Sequence, residues 1–260
     1  MFDLRIEDGA AWLTLTRPEA RNAIQVAQWP LLETAVAEAE TSGARILFVR
    51  GAGRAFCGGA DLAEFERMQA EAGGPAHFRQ AMRKALNRLR DCPIPTVAVI
   101  EGACFGAGVA LAMACDMRIA GAAASFAITP AKLGIAYPQE DISNLVALVG
   151  PGQAARLLFS AAAIDGAEAA RIGLVELDAG EELAAVIAGL VEAVTANDPA
   201  SLTFLKRGIR LAGSGVEQDD GQDAGFDALI GSDELLRRLA RHRARRANLP
   251  ATGQSTRSKR

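Results

Sequence analysis

Arg54-Ala-Phe-Cys-Gly-Gly-Ala-Asp-Leu62 and Gly102-Ala-Cys-Phe-Gly-Ala-Gly-Val-Ala-Leu111 each place small residues where a strand-like run gives way to a helix. Only glycine or alanine lets the main chain come within about 3 Å of a reacting oxygen, and an oxygen that gains negative charge needs two converging N–H donors at that distance. We read the two stretches as halves of one backbone anion site, with the amides of Ala60 and Ala107 as the donors. Gly106-Ala-Gly108 opens a helix, whose first amides carry partial positive charge. The same small residues also suit tight packing of a helix on a sheet, and the residues alone leave both readings open. A dinucleotide fingerprint is excluded, because Leu111 stands where its third glycine belongs, and no Gly-Lys-Ser/Thr loop exists for a nucleoside triphosphate.

Working outward, residues 2–7 and 10–16 are strand-like around Asp8-Gly9, a pair that suits a type I′ turn, so the chain opens with a β-hairpin that Pro18 ends. Leu32, Val36 and Ala39 fall at helical spacing within 26–42, and Gly43 closes that helix. Ile46–Val49 and Thr96–Ile100 are buried strands; before the second lies a helix with Phe78, Met82, Leu86 and Leu89 on one stripe. Met117–Ala120 and Ser125–Ile128 are short strands, Gly150-Pro-Gly152 breaks two helical segments apart, and 181–247 is almost purely helical, with joints at Pro199 and Gly213-Ser-Gly215. The expected class is α/β, with a mixed core over 1–197, a helical region over 198–250 and a disordered polar, basic tail over 251–260.

Half of the 260 residues are hydrophobic, enough for a full core, and a net charge of -3 argues against a general nucleic-acid binder. The basic residues after Glu234 read as a solvated helix and tail. The first residues lack a signal peptide's basic flank and no apolar run approaches the ~20 residues that span a bilayer, so a cytoplasmic location and no membrane partner are expected. Cys57, Cys92, Cys104 and Cys115 show no paired spacing and are read as free thiols; His77 and His242 have no second ligand nearby in sequence, so no metal site is expected.

Leu15-Thr-Arg-Pro18 with Arg21-Asn-Ala23, then 51–62, Pro95–Gly102 and Gly106–Asp116, then Phe126–Ile135 and Ala167–Val175, recur in an order that resembles the crotonase (enoyl-CoA hydratase/isomerase) superfamily over about residues 1–235. The resemblance implies a spiral of ββα units, a C-terminal helical part that packs subunits into a homotrimer or dimer of trimers, and an acyl-CoA thioester as ligand, with coenzyme A part of the substrate and no tightly bound cofactor. By motif position Ala60 and Ala107 match the oxyanion pair, and Arg21, Ala23, Gly58, Ala60, Asp61 and Leu62 border coenzyme A. Arg21 also reads as an ordinary surface charge, and Asp61 as the N-cap of a helix starting at Leu62.

The departures from the family pattern decide the chemistry. The two glutamates of the hydratases fall on Ala110 and Pro130 here, and neither residue can move a proton. Tyr137, Glu140 and Asp141 lie together just downstream; Glu140 is the expected acid or base and Tyr137 a hydrogen-bond donor near the thioester, although acids in a helix's first turn also serve its dipole. Glu64 and His77 are lesser candidates, and Phe65, Met68, Phe78 and Met82 are expected either to line an acyl tunnel or to be plain core. The expected function is that of an enoyl-CoA hydratase/isomerase-type enzyme working through a thioester enolate. A malonyl-type decarboxylase and a non-catalytic acyl-CoA binder stand as alternatives.

Overall fold

The structure, a computed structural model, describes residues 1–247. The expected tail over 251–260 lies outside the described residues. The chain opens with β1 (Phe2–Glu7) and β2 (Ala10–Leu15), paired antiparallel. Asp8 and Gly9 between them take φ of 50° and 77°, the positive pair that a type I′ turn requires. α1 (Trp29–Thr41) follows a short 3-10 turn, and buries Trp29, Leu32, Ala35, Val36 and Ala39 along one face.

From there the chain repeats one unit, a strand of a large sheet, a short strand of a small sheet, then a helix. β3 (Ile46–Gly51) and β4 (Ala55–Cys57) lead to α2 (Phe65–Ala70) and α3 (Gly74–Arg90). β5 (Thr96–Ile100) and β6 (Ala103–Phe105) lead to α4 (Ala107–Met113), and β7 (Met117–Gly121) and β8 (Ser125–Ala127) to α5 (Gln139–Ser160). β9 (Ile164–Asp165), α6 (Gly166–Arg171), β10 (Leu177–Gly180) and α7 (Leu183–Ala196) complete this part. The large sheet runs β1-β2-β3-β5-β7-β10, all parallel beyond the opening hairpin; the small one runs β4-β6-β8-β9. Ile46, Leu47, Phe48 and Val49 are all buried, as expected of a central parallel strand covered on both faces. One apolar cluster packs α1, α3 and α4 on the sheet; another packs Val186, Ile187, Leu190 and Val191 of α7 against its opposite face.

α5 is the one described helix whose length and composition alone would suit a membrane span. It is not continuous, because Gly150 has φ 74° and ψ 162° just before Pro151, the break expected from Gly150-Pro-Gly152.

The backbone divides into two compact units, Met1–Leu202 and a second beginning at Thr203. The division falls inside α8 (Pro199–Gly213), which is followed by α9 (Asp220–Ile230) and α10 (Asp233–Ala247). Within the second unit Phe204 lies directly over Gly225, where an added Cβ would meet its ring at 2.0 Å.

For the site, the decisive feature is that β4 and β6 are parallel neighbours. Their C-terminal ends leave the small sheet on the same side, so Gly58–Asp61 and Gly106–Ala107, far apart in sequence, emerge next to each other.

Candidate active site

Both segments are locked in place by backbone bonds. The Gly58 N–H donates to the Arg21 carbonyl at 2.7 Å, the Ile24 N–H to Gly59 at 2.8 Å and the Asp61 N–H to Ile24 at 3.0 Å, so 21–24 runs alongside 58–61. Gly108 explains how α4 comes close to β4: a Cβ there would lie 2.3 Å from the Cys57 carbonyl oxygen. Gly59 does the same between the two donor segments. Its φ is +105°, and an added Cβ would sit 2.8 Å from the Phe105 carbonyl oxygen and 3.2 Å from the Ala107 nitrogen.

Ala60 and Ala107 both line one cavity of about 320 Å³. The Ala60 N–H belongs to the peptide whose carbonyl is that of Gly59, and this oxygen already accepts from Ile24. The Ala107 N–H belongs to the peptide whose carbonyl is that of Gly106, and this oxygen accepts from the Tyr137 hydroxyl at 3.0 Å. Among the described residues no peptide bond is cis, so each N–H points away from its tethered carbonyl. Neither N–H donates to a backbone carbonyl, and Ala107, first residue of α4, has no intrahelical acceptor. The site thus holds two fixed, unspent donors beside an apolar cavity. Donors so arranged are suited to an oxygen that becomes an anion.

The rest of the lining is mostly apolar. Phe65, Met68, Phe78 and Met82 all line the cavity, Met68 and Met82 being buried as well, together with Pro130, Ile135, Ala136 and Pro138. Its polar side chains are Gln69, Arg79 and Tyr137, and no Asp, Glu or His lines it. Burial holds the Tyr137 phenol well above its ordinary range, reinforced by the Asp141 charge, so it stays a neutral donor.

Glu140 requires a correction. It does not line the cavity; its carboxylate is half-exposed and pairs with Arg83 at 3.0 Å and Arg90 at 2.9 Å. The first turn of α5 aims it at the guanidinium groups of α3, so the charge expected to move a proton is spent tying two helices together. Asp141 is buried and pairs with Arg83 at 2.6 Å; burial pushes its carboxyl up and Arg83 pulls it back. Glu64 accepts from the Val26 N–H at 2.6 Å and pairs with Arg67, while His77 is exposed; neither lines the cavity. Ala110 is buried on α4, and Pro130 lines the cavity wall.

The remaining expected residues lie along the two paired segments. Arg21 is exposed in the left-handed region with φ 51°, Ala23 is half-buried and Leu62 is exposed. Asp61 caps the turn at Leu62, accepting from the Ala63 N–H at 3.2 Å, and also pairs with Arg17 at 3.1 Å. All four cysteines are buried free thiols, and burial pushes Cys57 to about 12.

Three residues had no role in the sequence reading. Arg17 braces Asp61 and the Ala23 carbonyl; Arg79 brings the cavity its one charge; Asn22 is fully buried. Asn22 gives its amide N–H groups to Ala52 at 2.9 Å and Ala55 at 2.7 Å, and accepts from the Arg17 N–H at 2.9 Å. Its presence in the Arg21-Asn-Ala23 motif was the available signal. Asn22→Ala strands these buried groups and is expected to lower unfolding free energy by about 1–3 kcal/mol, measured by urea denaturation.

Comparison with known proteins agrees with this fold. The family model described as Enoyl-CoA hydratase/isomerase matches residues 5–222. The chain is 31% identical to enoyl-CoA isomerase/hydratase fer4 of Mycosarcoma maydis, over 83% of this chain and 81% of that protein. It is 38% identical to the mitochondrial methylglutaconyl-CoA hydratase of Mus musculus over 46% of this chain, and spans only 38% of that relative's length. Among solved structures it is similar to an enoyl-CoA hydratase/carnithine racemase of Magnetospirillum magneticum, with a TM-score of 0.88, 27% identity and coverage of 94% and 92% of the two chains. An enoyl-CoA hydratase/isomerase family protein of Hyphomonas neptunium gives a TM-score of 0.85 at 33% identity, covering 97% of each chain.

Proposed function

This chain belongs to the enoyl-CoA hydratase/isomerase family, and on that premise we propose that it is an acyl-CoA enzyme that stabilises a thioester enolate between the amides of Ala60 and Ala107. The observation that supports this reading is the pair of tethered peptides: both carbonyls are taken, by Ile24 and Tyr137, and both N–H groups are left beside the cavity. As the thioester oxygen gains charge, two preset donors in an apolar surround stabilise it without reorganising, an effect worth about 10²–10³ in rate per donor. Coenzyme A would follow the segments of Arg21, Ala23, Gly58, Asp61 and Leu62, where an exposed cation and close-packed backbone meet. Its phosphates suit Arg21.

Tyr137 acts here through the backbone rather than on the substrate. Its phenol joins the Val109 and Ala110 N–H groups in holding the Gly106 carbonyl and so helps to fix the direction of the Ala107 N–H. Tyr137→Phe is expected to lower kcat about tenfold, the loss of one hydrogen bond's worth of orientation, with KM nearly unchanged. Steady-state kinetics on one thioester decide it, and a rise in KM alone would contradict the positioning role.

A second reading is favoured by one observation, the absence of any Asp, Glu or His from the cavity lining. Hydration by a pair of carboxylates has no support from such a wall. Decarboxylation of a malonyl-type thioester needs no base: the carbon–carbon bond breaks, carbon dioxide leaves, and its electron pair becomes the enolate that the two amides hold. Water then returns a proton to the α-carbon.

Incubation with crotonyl-CoA, following loss of the conjugated thioester absorbance, and with malonyl-CoA, following carbon dioxide, separates the two reactions. Binding without turnover of either would favour a non-catalytic acyl-CoA protein, and no binding at all would overturn the reading. Assembly as a homotrimer or a dimer of trimers is part of the proposal; it is supported by exposed Leu205, Ile209, Phe226 and Ile230 in the second unit, large apolar side chains of the kind that subunits cover.

A further inference from the structure

The cavity beside the two amides carries one full charge, and it is a cation. On α3, Pro75, Phe78, Arg79 and Met82 line the cavity at successive spacings of three, one and three residues, a single helical face. Three of these four are apolar. Phe65 and Met68 from α2 and Ile135, beyond the 3-10 turn at Pro130–Leu133, continue the same apolar wall. Arg79, an exposed residue in the middle of that face, has no structural partner to explain its guanidinium.

Its neighbours show the contrast. Arg83, one turn further on, pairs with Glu140 and Asp141; Lys84 pairs with Glu33, Arg88 with Glu40, Arg90 with Glu140 and, on α2, Arg67 with Glu64 and Glu71. Arg79 makes no ion pair and no hydrogen bond among the described residues. Each of these basic side chains of α2 and α3 is spent on the fold, whereas Arg79, the one that lines the cavity, is not. No acidic side chain lines the cavity to compensate it.

We propose that Arg79 is a specificity residue that receives a carboxylate carried by the acyl group, so that the substrates are thioesters of dicarboxylic acids. This rests on the acyl-CoA reading above and deepens it by naming the class of acyl chain. With the thioester oxygen at the Ala60 and Ala107 amides, the acyl chain enters the space between Phe65, Met68, Phe78 and Met82, and the planar fork of Arg79 offers a carboxylate a bidentate partner that no other lining side chain supplies. The assignment is to the acyl carboxylate rather than to the phosphates of coenzyme A. Arg21 and the 58–62 segment, proposed to hold the coenzyme, contribute only Ala60 to the cavity.

The test compares glutaryl-CoA, pentanoyl-CoA and free coenzyme A by titration calorimetry on the full chain and on Arg79→Met, with thermal melts to verify that the variant folds. The full chain is expected to bind glutaryl-CoA about tenfold more tightly than pentanoyl-CoA, the worth of one charge-assisted pair. Arg79→Met is expected to lose that preference while its affinities for pentanoyl-CoA and coenzyme A stay within about twofold, and Arg79→Lys to keep part of it. Equal binding of the two thioesters by the full chain would overturn the proposal. So would equal weakening of all three ligands in Arg79→Met, which would assign Arg79 to the phosphates and leave the acyl-CoA reading standing. Failure of all three to bind the full chain would instead overturn both.

Discussion

Replacing Ala107 with proline lowers kcat by at least about 10²–10³-fold while shifting the melting temperature by only a few degrees, because it deletes one oxyanion donor and sets the ring's Cδ where that N–H pointed, yet breaks no helical bond. Ala107 is the first residue of α4, the helical position where proline's fixed φ is already suitable and its missing N–H breaks no helical bond. The residue before it, Gly106, has no Cβ for the ring to meet. Paired kinetics and melts distinguish this from damage to the fold. A variant that melts near the wild-type temperature and keeps its full kcat would remove the Ala107 amide from the mechanism.

Gly59→Ala is expected to damage both the fold and the donor pair. Its φ of +105° is costly for any residue with a side chain, about 1–3 kcal/mol, and the new Cβ would lie 2.8 Å from one backbone atom and 3.2 Å from the Ala107 nitrogen itself. Neither contact can be relieved by a side-chain rotation, since both partners are main chain. The β4 and β6 termini must separate, and the two donors with them. Unfolding free energy should fall by a further 1–3 kcal/mol or so from overpacking, and kcat by at least about 10²-fold from misplacement of the donors. Chemical denaturation and kinetics of the soluble variant measure the two losses. Native stability would show that the segments are not in contact.

The sequence made the backbone half of the site readable because its constraint is steric. Two small-residue turns following strand-like runs have few alternatives, and Gly59, Ala60, Ala107 and Gly108 lie where those turns bring the chain together. The longer elements were readable for a similar reason: β3 and β5 carry the apolar runs Ile46–Val49 and Val97–Ile100, and α3 has a stripe of Met82, Leu86 and Leu89 at helical spacing. The small sheet was harder. β4, β6 and β9 are only three, three and two residues long, too short for any period to register, so the two-sheet arrangement was not legible from pattern.

Side-chain roles were least legible. Glu140 looked poised for chemistry because it follows Tyr137 closely in sequence, but the helix it opens turns it toward Arg83 and Arg90, a contact set by tertiary packing. Tyr137 reached the expected neighbourhood and took a different partner, the Gly106 carbonyl. Arg79 was hidden in a helix whose charged residues resemble a solvated face; only the position of the cavity separates it from Arg83 and Lys84.

The central claim, that two tethered peptides polarise a thioester oxygen, is tested most directly by infrared difference spectroscopy of glutaryl-CoA or pentanoyl-CoA carrying a carbon-13 thioester carbonyl, bound to the protein. Two donors at the oxygen weaken the carbonyl bond, so the account predicts a labelled stretch displaced to lower wavenumber than in water, with the displacement largely lost in Ala107→Pro. A bound thioester whose carbonyl absorbs as it does in water would contradict it.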